Sequence, residues 1–188
     1  MIEIIFYGRG GQGAVTASQI LATAAFSEGK YSQAFPYFGP ERKGAAVMAY
    51  ARISATPIEV RNPIEKPDIV IVLDSSSLKN FEPLNSLKSN GVAIINTNKS
   101  PEDIKSRMEN KDVKVNTIDA TALSEKIYGQ SSIPRTNVAM LGAIAACGQI
   151  INLESILTVI DQYFTGDDEA KAKESAKLAY EEAINKNR

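Results

Sequence analysis

The sequence predicts an α/β protein: a mostly parallel sheet flanked by helices, with a helical C-terminal part. Three observations predict it. The chain opens as an apolar run, a glycine-rich turn and a helical pattern, "IEIIFYGRGGQGAVTASQI". Its middle alternates helical segments with unbroken apolar runs, the pattern that strands covered on both faces require. After Asp119 the patterning is helical only. A chain of 188 residues suits one domain around one sizeable core, residues 1–188, and no repeat, low-complexity tract or linker divides it.

The elements follow in order. "IEIIFYG" is rich in β-formers and ends in glycine, as a first buried strand does. From Ala14 to Phe26, residues Ala17, Ile20, Leu21, Ala24 and Ala25 recur at helical spacing, and Gly29 stops the helix. "GAAVMAYARIS" reads as a β element; Thr56-Pro57 breaks it before "IEVRN", which is expected to pair with it as a hairpin. "PDIVIVLD" is the clearest strand, "GVAIINT" repeats it and "VKVNTID" is a weaker third. Helices are expected between these strands, over 76–89 and 101–110. Four more are expected beyond, over 121–128, 136–149, 153–164 and 168–185. The last carries Ala172, Ala176, Ala179, Tyr180, Ala183 and Ile184 on one face, and Asp167 and Asp168 suit its start.

Composition excludes several functions. A formal net charge of -1 leaves no basic excess for neutralising phosphates, so no nucleic-acid partner is expected. No apolar run is long enough to cross a bilayer, and no basic region precedes the first one, so no membrane partner and a cytoplasmic location are expected. The absence of histidine removes imidazole bases, His-based triads and His metal sites. The single cysteine, Cys147, lies in the apolar run "NVAMLGAIAACGQII" and reads as a core thiol. One cysteine cannot hold an iron–sulfur cluster alone. Any redox centre used by this protein has to come from elsewhere.

Gly8, Gly10 and Gly13 fit G-x-G-x-x-G in its strand–turn–helix context. The pattern allows a tight turn, close backbone approach and helix-end amides aimed at an anion. It equally allows a helix simply to pack close to a strand, and the motif alone does not separate the two readings. A conventional nicotinamide site also needs an acid at the end of the second strand, about 20 residues on, to bond the ribose. Here Glu28 comes before the expected strand and no acid follows until Glu41. The segment "FPYFGPERKGA" concentrates aromatics, prolines and the charged trio Glu41, Arg42 and Lys43, suited either to meet an anion or to form a surface loop with a local ion pair. Asp74, Asn96 and Thr97 follow buried strands, where ligands gather in open α/β sheets, and helix capping is the expected role.

Together these segments resemble the gamma subunit of the 2-oxoacid:ferredoxin oxidoreductases, the group that includes pyruvate synthase. The resemblance is carried, in order, by "GRGGQGAVTAS", "FGPERKGA", "PDIVIVLDS", "NTNKSP" and "TNVAMLGA". It implies a Rossmann-like domain within a complex that converts a 2-oxoacid, coenzyme A (CoA) and oxidised ferredoxin to acyl-CoA, CO2 and reduced ferredoxin, with pyruvate as the default 2-oxoacid. Thiamine diphosphate and the iron–sulfur clusters would sit on alpha, beta and delta partners or fused equivalents, and this chain would bind no cofactor alone. CoA would be a co-substrate at the interface. The implied ligand-facing residues are Gly8, Arg9, Gly10, Gly11, Gln12 and Gly13 on the first turn, with Gly39, Pro40, Glu41, Arg42, Lys43 and Gly44 on the second segment. No residue of this chain is implied as catalytic. The alternatives are a free-standing nucleotide- or flavin-binding Rossmann protein and a purely structural subunit.

Overall fold

Strand β1 (Ile2–Gly8) runs through the interior of a six-stranded sheet and leads through the glycine turn into helix α1 (Ala14–Ser27). The strands β2 (Tyr31–Tyr37), β3 (Val47–Ser54), β4 (Ile69–Val72), β5 (Val92–Asn96) and β6 (Lys114–Ile118) complete the sheet, in the order β2-β3-β1-β4-β5-β6. β1, β4, β5 and β6 are parallel, whereas β3 lies antiparallel between β1 and β2. The computed structural model describes residues 1–37, 47–76, 78 and 82–186. Between the strands lie the short helices α2 (Glu82–Asn85) and α3 (Pro101–Ser106); α4 (Ala120–Tyr128), α5 (Asn137–Cys147), α6 (Leu153–Ile160) and α7 (Asp167–Lys186) follow β6. The mostly parallel α/β architecture expected from the sequence is the one observed.

The apolar runs form strands because both sheet faces are covered. On β4, Ile69 and Ile71 face the core under α1, α5, α6 and α7, while Val70 and Val72 face a second core with Leu84, Ile104 and Met108. All five apolar positions expected on the buried face of α1 are fully buried. Gly29 ends that helix with φ 78°, and the amides of Gly29 and Lys30 return to the carbonyls of Phe26 and Ala25. That pairing satisfies the helix's last carbonyls. Glu28, at the same corner, accepts hydrogen bonds from Lys30 Nζ, the Asn152 amide and Ser155 Oγ, which joins α1 to the start of α6. Burial works to raise its pKa, but these bonds outweigh it and hold the carboxyl below its ordinary value.

Three expectations are corrected. Residues 58–62 form no hairpin with β3, because β3 already has β1 and β2 on its two edges. Their carbonyls are taken by side chains instead: Gln33 Nε2 donates to Ile58 O at 3.1 Å, and Arg52 donates to Val60 O and Asn62 O at 3.3 and 2.7 Å. Arg52 is fully buried, and its Nε meets Glu3 Oε1 at 3.1 Å. The single helix expected over 76–89 is broken: among the described residues Ser75, Ser76 and Leu78 lie in a 3-10 turn, and the α-helix spans only Glu82–Asn85. The helix expected over 101–110 stops at Ser106, where Lys111 Nζ bonds the carbonyls of Lys105 and Ser106.

Helix α5 is apolar on every side, and Cys147 is buried within it as expected. It crosses α7 along the small side chains Ala172, Ala176, Ala179 and Ala183, all buried. A Cβ built at Gly142 would collide with the backbone carbonyl of Ala176. None of the described helices is long and apolar enough to cross a membrane. Gly142→Ala is expected to destabilise the chain by about 3 kcal/mol, because it overfills a backbone-to-backbone contact that cannot yield. Chemical denaturation checks this, and an unchanged midpoint would refute the close α5–α7 crossing.

Candidate functional site

The carboxyl ends of β1, β4, β5 and β6 open onto one edge of the sheet, and a cleft of about 540 Å³ lies there. Arg9, Gly10 and Gln12 contribute from the glycine turn, Asp74 and Ser75 from the end of β4, and Asn96, Thr97 and Asn98 from the end of β5. Asp119, Thr121, Ala122 and Glu125 line it from the start of α4, and Ser132, Ile133 and Pro134 from the loop before α5. Ligands gather at such an edge because loops there point outward while the sheet holds their roots rigid.

A polar knot shapes the glycine turn. Gln12 Oε1 accepts the Arg9 amide at 2.7 Å, and the Gln12 amide donates to Arg9 O at 3.1 Å. Asp74 Oδ2 accepts both Arg9 Nε and Gln12 Nε2, at 2.5 and 3.0 Å, while Asp74 Oδ1 accepts the Ser76 amide at 2.8 Å. Asp74 therefore does what capping predicts at Ser76 and also ties the turn after β1 to the turn after β4. Burial pushes its pKa upward, but the hydrogen bonds from Ser76 and the Arg9 guanidinium outweigh that push and lower it.

Asn96 does not cap the next helix; Ser100 Oγ does so by accepting the Asp103 amide. Instead Asn96 Nδ2 donates to Leu73 O at 2.8 Å and to Thr121 Oγ1 at 3.0 Å, and its Oδ1 accepts the Thr121 amide at 3.1 Å. It thereby braces the back of the cleft. Thr97 Oγ1 accepts the Lys99 amide at 3.3 Å, a short turn-forming bond.

The glycines divide by role. Gly11 and Gly13 have φ of 88° and 77°, a region that favours glycine. A Cβ at Gly13 would stand 2.5 Å from Asn137 Nδ2, and one at Gly11 3.2 Å from Ile133 Cδ1. Their surroundings are the α4–α5 loop and the start of α5. Gly8 is close to Gln12 Oε1, which would lie 3.2 Å from its Cβ. Gly10 alone in this turn has nothing of the described residues within 4 Å of its Cβ direction, and it lines the cleft. The second predicted segment, Gly39, Pro40, Glu41, Arg42, Lys43 and Gly44, lies outside the described residues. Its flanks do not: Tyr37 pairs with Met48, and Val47 pairs with Gly8, at this same sheet edge.

Sequence reasoning did not single out Asp119, Thr121, Glu125 or the 132–134 loop. Asp119 Oδ1 accepts the Ala122 amide at 3.0 Å as the N-cap of α4, a role its position before a helical pattern signals. The loop carried a weaker sign in "GQSSIPR", a run of turn-forming residues between two helices. The strand beside β1 on one side is the antiparallel β3, so no parallel second strand is there to present a ribose-binding acid.

Two outcomes follow from this geometry. Gly13→Ala is expected to lower stability by about 2 kcal/mol through its positive φ and the Asn137 contact, while Gly10→Ala leaves the melting temperature unchanged. Equal melting shifts would show that the turn does not divide in this way. The Asp74 carboxyl is expected to titrate below an ordinary aspartate. Its stabilisation is present above the unfolded pKa of about 3.9 and is lost as pH falls below that through the folded value. Carbon-13 NMR of the carboxyl measures this, and an unshifted midpoint would contradict the knot.

Comparison with known proteins bears on what this edge serves. Residues 3–184 match the family model "Pyruvate ferredoxin/flavodoxin oxidoreductase". The "Pyruvate/ketoisovalerate oxidoreductases common subunit gamma" of Thermococcus kodakarensis is 48% identical over 186 residues, covering 99% of this chain and 97% of that protein. The crystal structure of pyruvate oxidoreductase subunit PORC from Thermotoga maritima superposes with a TM-score of 0.81 at 34% identity, over 96% of this chain and 95% of that one. The 2-oxoglutarate:ferredoxin oxidoreductase of Magnetococcus marinus shares the fold, with a TM-score of 0.72 at 17% identity over 96% of this chain and 31% of that longer one. A free-standing nucleotide-binding protein is not favoured by these likenesses. The chain belongs to the pyruvate ferredoxin/flavodoxin oxidoreductase family, as a gamma subunit of a 2-oxoacid:ferredoxin oxidoreductase.

Proposed function

We propose that this chain closes the CoA and thiamine diphosphate region of a pyruvate-oxidising complex, using the carboxyl edge of its sheet as the wall. The complex converts pyruvate, CoA and oxidised ferredoxin to acetyl-CoA, CO2 and reduced ferredoxin. Thiamine diphosphate and the iron–sulfur clusters belong to alpha, beta and delta partners, ferredoxin is the electron acceptor, and the assembly is cytoplasmic. A division of labour of this kind suits a chain with no histidine and one buried cysteine. The relative from Thermococcus kodakarensis is a common subunit for pyruvate and ketoisovalerate oxidoreductases, which suits a wall that leaves the choice of 2-oxoacid to other chains. The relative from Magnetococcus marinus holds 2-oxoglutarate, coenzyme A and succinyl-CoA.

The observation that carries the reading is one of register. Gly8 stands opposite Val47 and Tyr37 opposite Met48, so the glycine turn and both flanks of the 38–46 segment meet at one edge. In this proposal Gly8, Arg9, Gly10, Gly11, Gln12 and Gly13 form one half of the ligand-facing surface, and Gly39, Pro40, Glu41, Arg42, Lys43 and Gly44 form the other. Gly10 admits close approach, and Arg42 and Lys43 face CoA phosphates or acidic side chains of a partner. The carboxylates of Asp119 and Glu125 on the cleft wall make such basic residues necessary for any phosphate nearby. The double variant Arg42→Ala, Lys43→Ala, in the reconstituted complex, is expected to raise the apparent KM for CoA or to weaken assembly. Unchanged CoA kinetics together with unchanged assembly would overturn the proposal.

A further inference from the structure

We propose that Asp74 is a positioning residue: it holds the Arg9 guanidinium so that its outer edge is presented to a phosphate of CoA. The inference rests on the reading of the glycine turn as a CoA-facing wall. It adds an acidic residue, from a different strand, on which the turn's one cation depends.

Asp74 sits at the end of β4 with only 8% exposure, whereas the Arg9 side chain is 59% exposed at the cleft wall. Oδ2 of Asp74 engages Nε of Arg9, the nitrogen nearest the chain, rather than its terminal NH2 groups. A guanidinium is planar, so fixing Nε restricts the plane in which both NH2 groups lie. Neither NH2 group has a hydrogen-bond partner among the described residues. Two parallel N–H donors on one edge match the oxygens of a phosphate. Asp74 is itself held: Oδ1 by the Ser76 amide, and Oδ2 a second time by Gln12 Nε2. Gln12 in turn fixes the Arg9 backbone through its Oε1. Backbone and side chain of Arg9 are thus both anchored, and only the outer edge is left for a ligand.

An arrangement of this kind also resolves a conflict of charge. Asp74 cancels the charge of Arg9, and Asp119 and Glu125 add two further carboxylates to the cleft wall. A loosely held cation there would turn toward these acids. Clamped at Nε, it keeps its directional donors facing outward.

The test uses the complete complex with steady-state kinetics for CoA and for pantetheine, a thiol without phosphates. Arg9→Gln is expected to raise the KM for CoA about tenfold with kcat retained, and to leave pantetheine unaffected. Asp74→Asn is expected to raise the CoA KM severalfold in the native background and to have no further effect in the Arg9→Gln background. Arg9→Lys keeps the charge at an exposed position but lacks the fork, and is expected to behave as Arg9→Gln does. Three results would overturn the inference: additive effects of the two substitutions, a CoA KM unmoved by Asp74→Asn while Arg9→Gln raises it, or native affinity in Arg9→Lys. A CoA KM unmoved by Arg9→Gln would instead remove the reading of the glycine turn on which the inference stands. Should Asp74→Asn fail to assemble, the Arg9→Lys arm decides the case alone.

Discussion

Helix α5 has no polar face, and the need to enclose it on every side organises the rest of the molecule. A helix apolar all round is stable in water only when neighbours cover it completely. Here the sheet, α1, α6 and α7 supply that cover, and they approach closely because the crossing residues are small. At Gly142 the backbone of Ala176 comes so near that a Cβ has no space. The same helix begins beside the glycine turn, where Asn137 lies against Gly13 and Thr136 Oγ1 donates to Leu73 O at 3.4 Å. Core packing and site geometry therefore share a root at the first turn of α5.

This shared root gives the glycine turn two physical roles. Gly11 and Gly13 answer to the protein's own packing: both have backbone angles that favour glycine, and at Gly13 Asn137 also leaves no room for a side chain. Gly10 answers to the cleft, since nothing of the described chain fills the space beside it. A motif read as one unit in sequence thus separates into residues that set the turn's shape and one that leaves its outer surface bare. Arg9 and Gln12, between and beside the glycines, turn out to be bound to a residue on another strand.

Asp74 makes that connection, and its chemistry explains why a carboxylate stands at the end of β4. Arg9, Gln12 and the Ser76 amide, from two different turns, all donate to it, and an ionised carboxylate can accept all of them at once. The result is a sheet edge whose two turns are held together by one carboxylate.

Much of the fold was legible in the sequence because it depends on local pattern. Unbroken apolar runs became the parallel strands, since side chains alternating across a sheet with two covered faces must all be apolar. The spacing of Ala17, Ile20, Leu21, Ala24 and Ala25 became the buried face of α1, and Gly29 became its stop. Both rest on short-range geometry that neighbours in the chain dictate. The family, too, was legible in five ordered segments. What the pattern did not decide was which strand lies beside which. Residues 58–62 have the composition of a strand, but β3 had no free edge left for them, and Arg52 and Gln33 claimed their carbonyls from a distance. Asp74 likewise read as a cap from its place after a strand, and only the juxtaposition of two parallel strand ends brought Arg9 and Gln12 to it. Local periodicity specifies elements, whereas pairing and long-range hydrogen bonds are settled by competition among partners far apart in sequence, and that competition is resolved only in three dimensions.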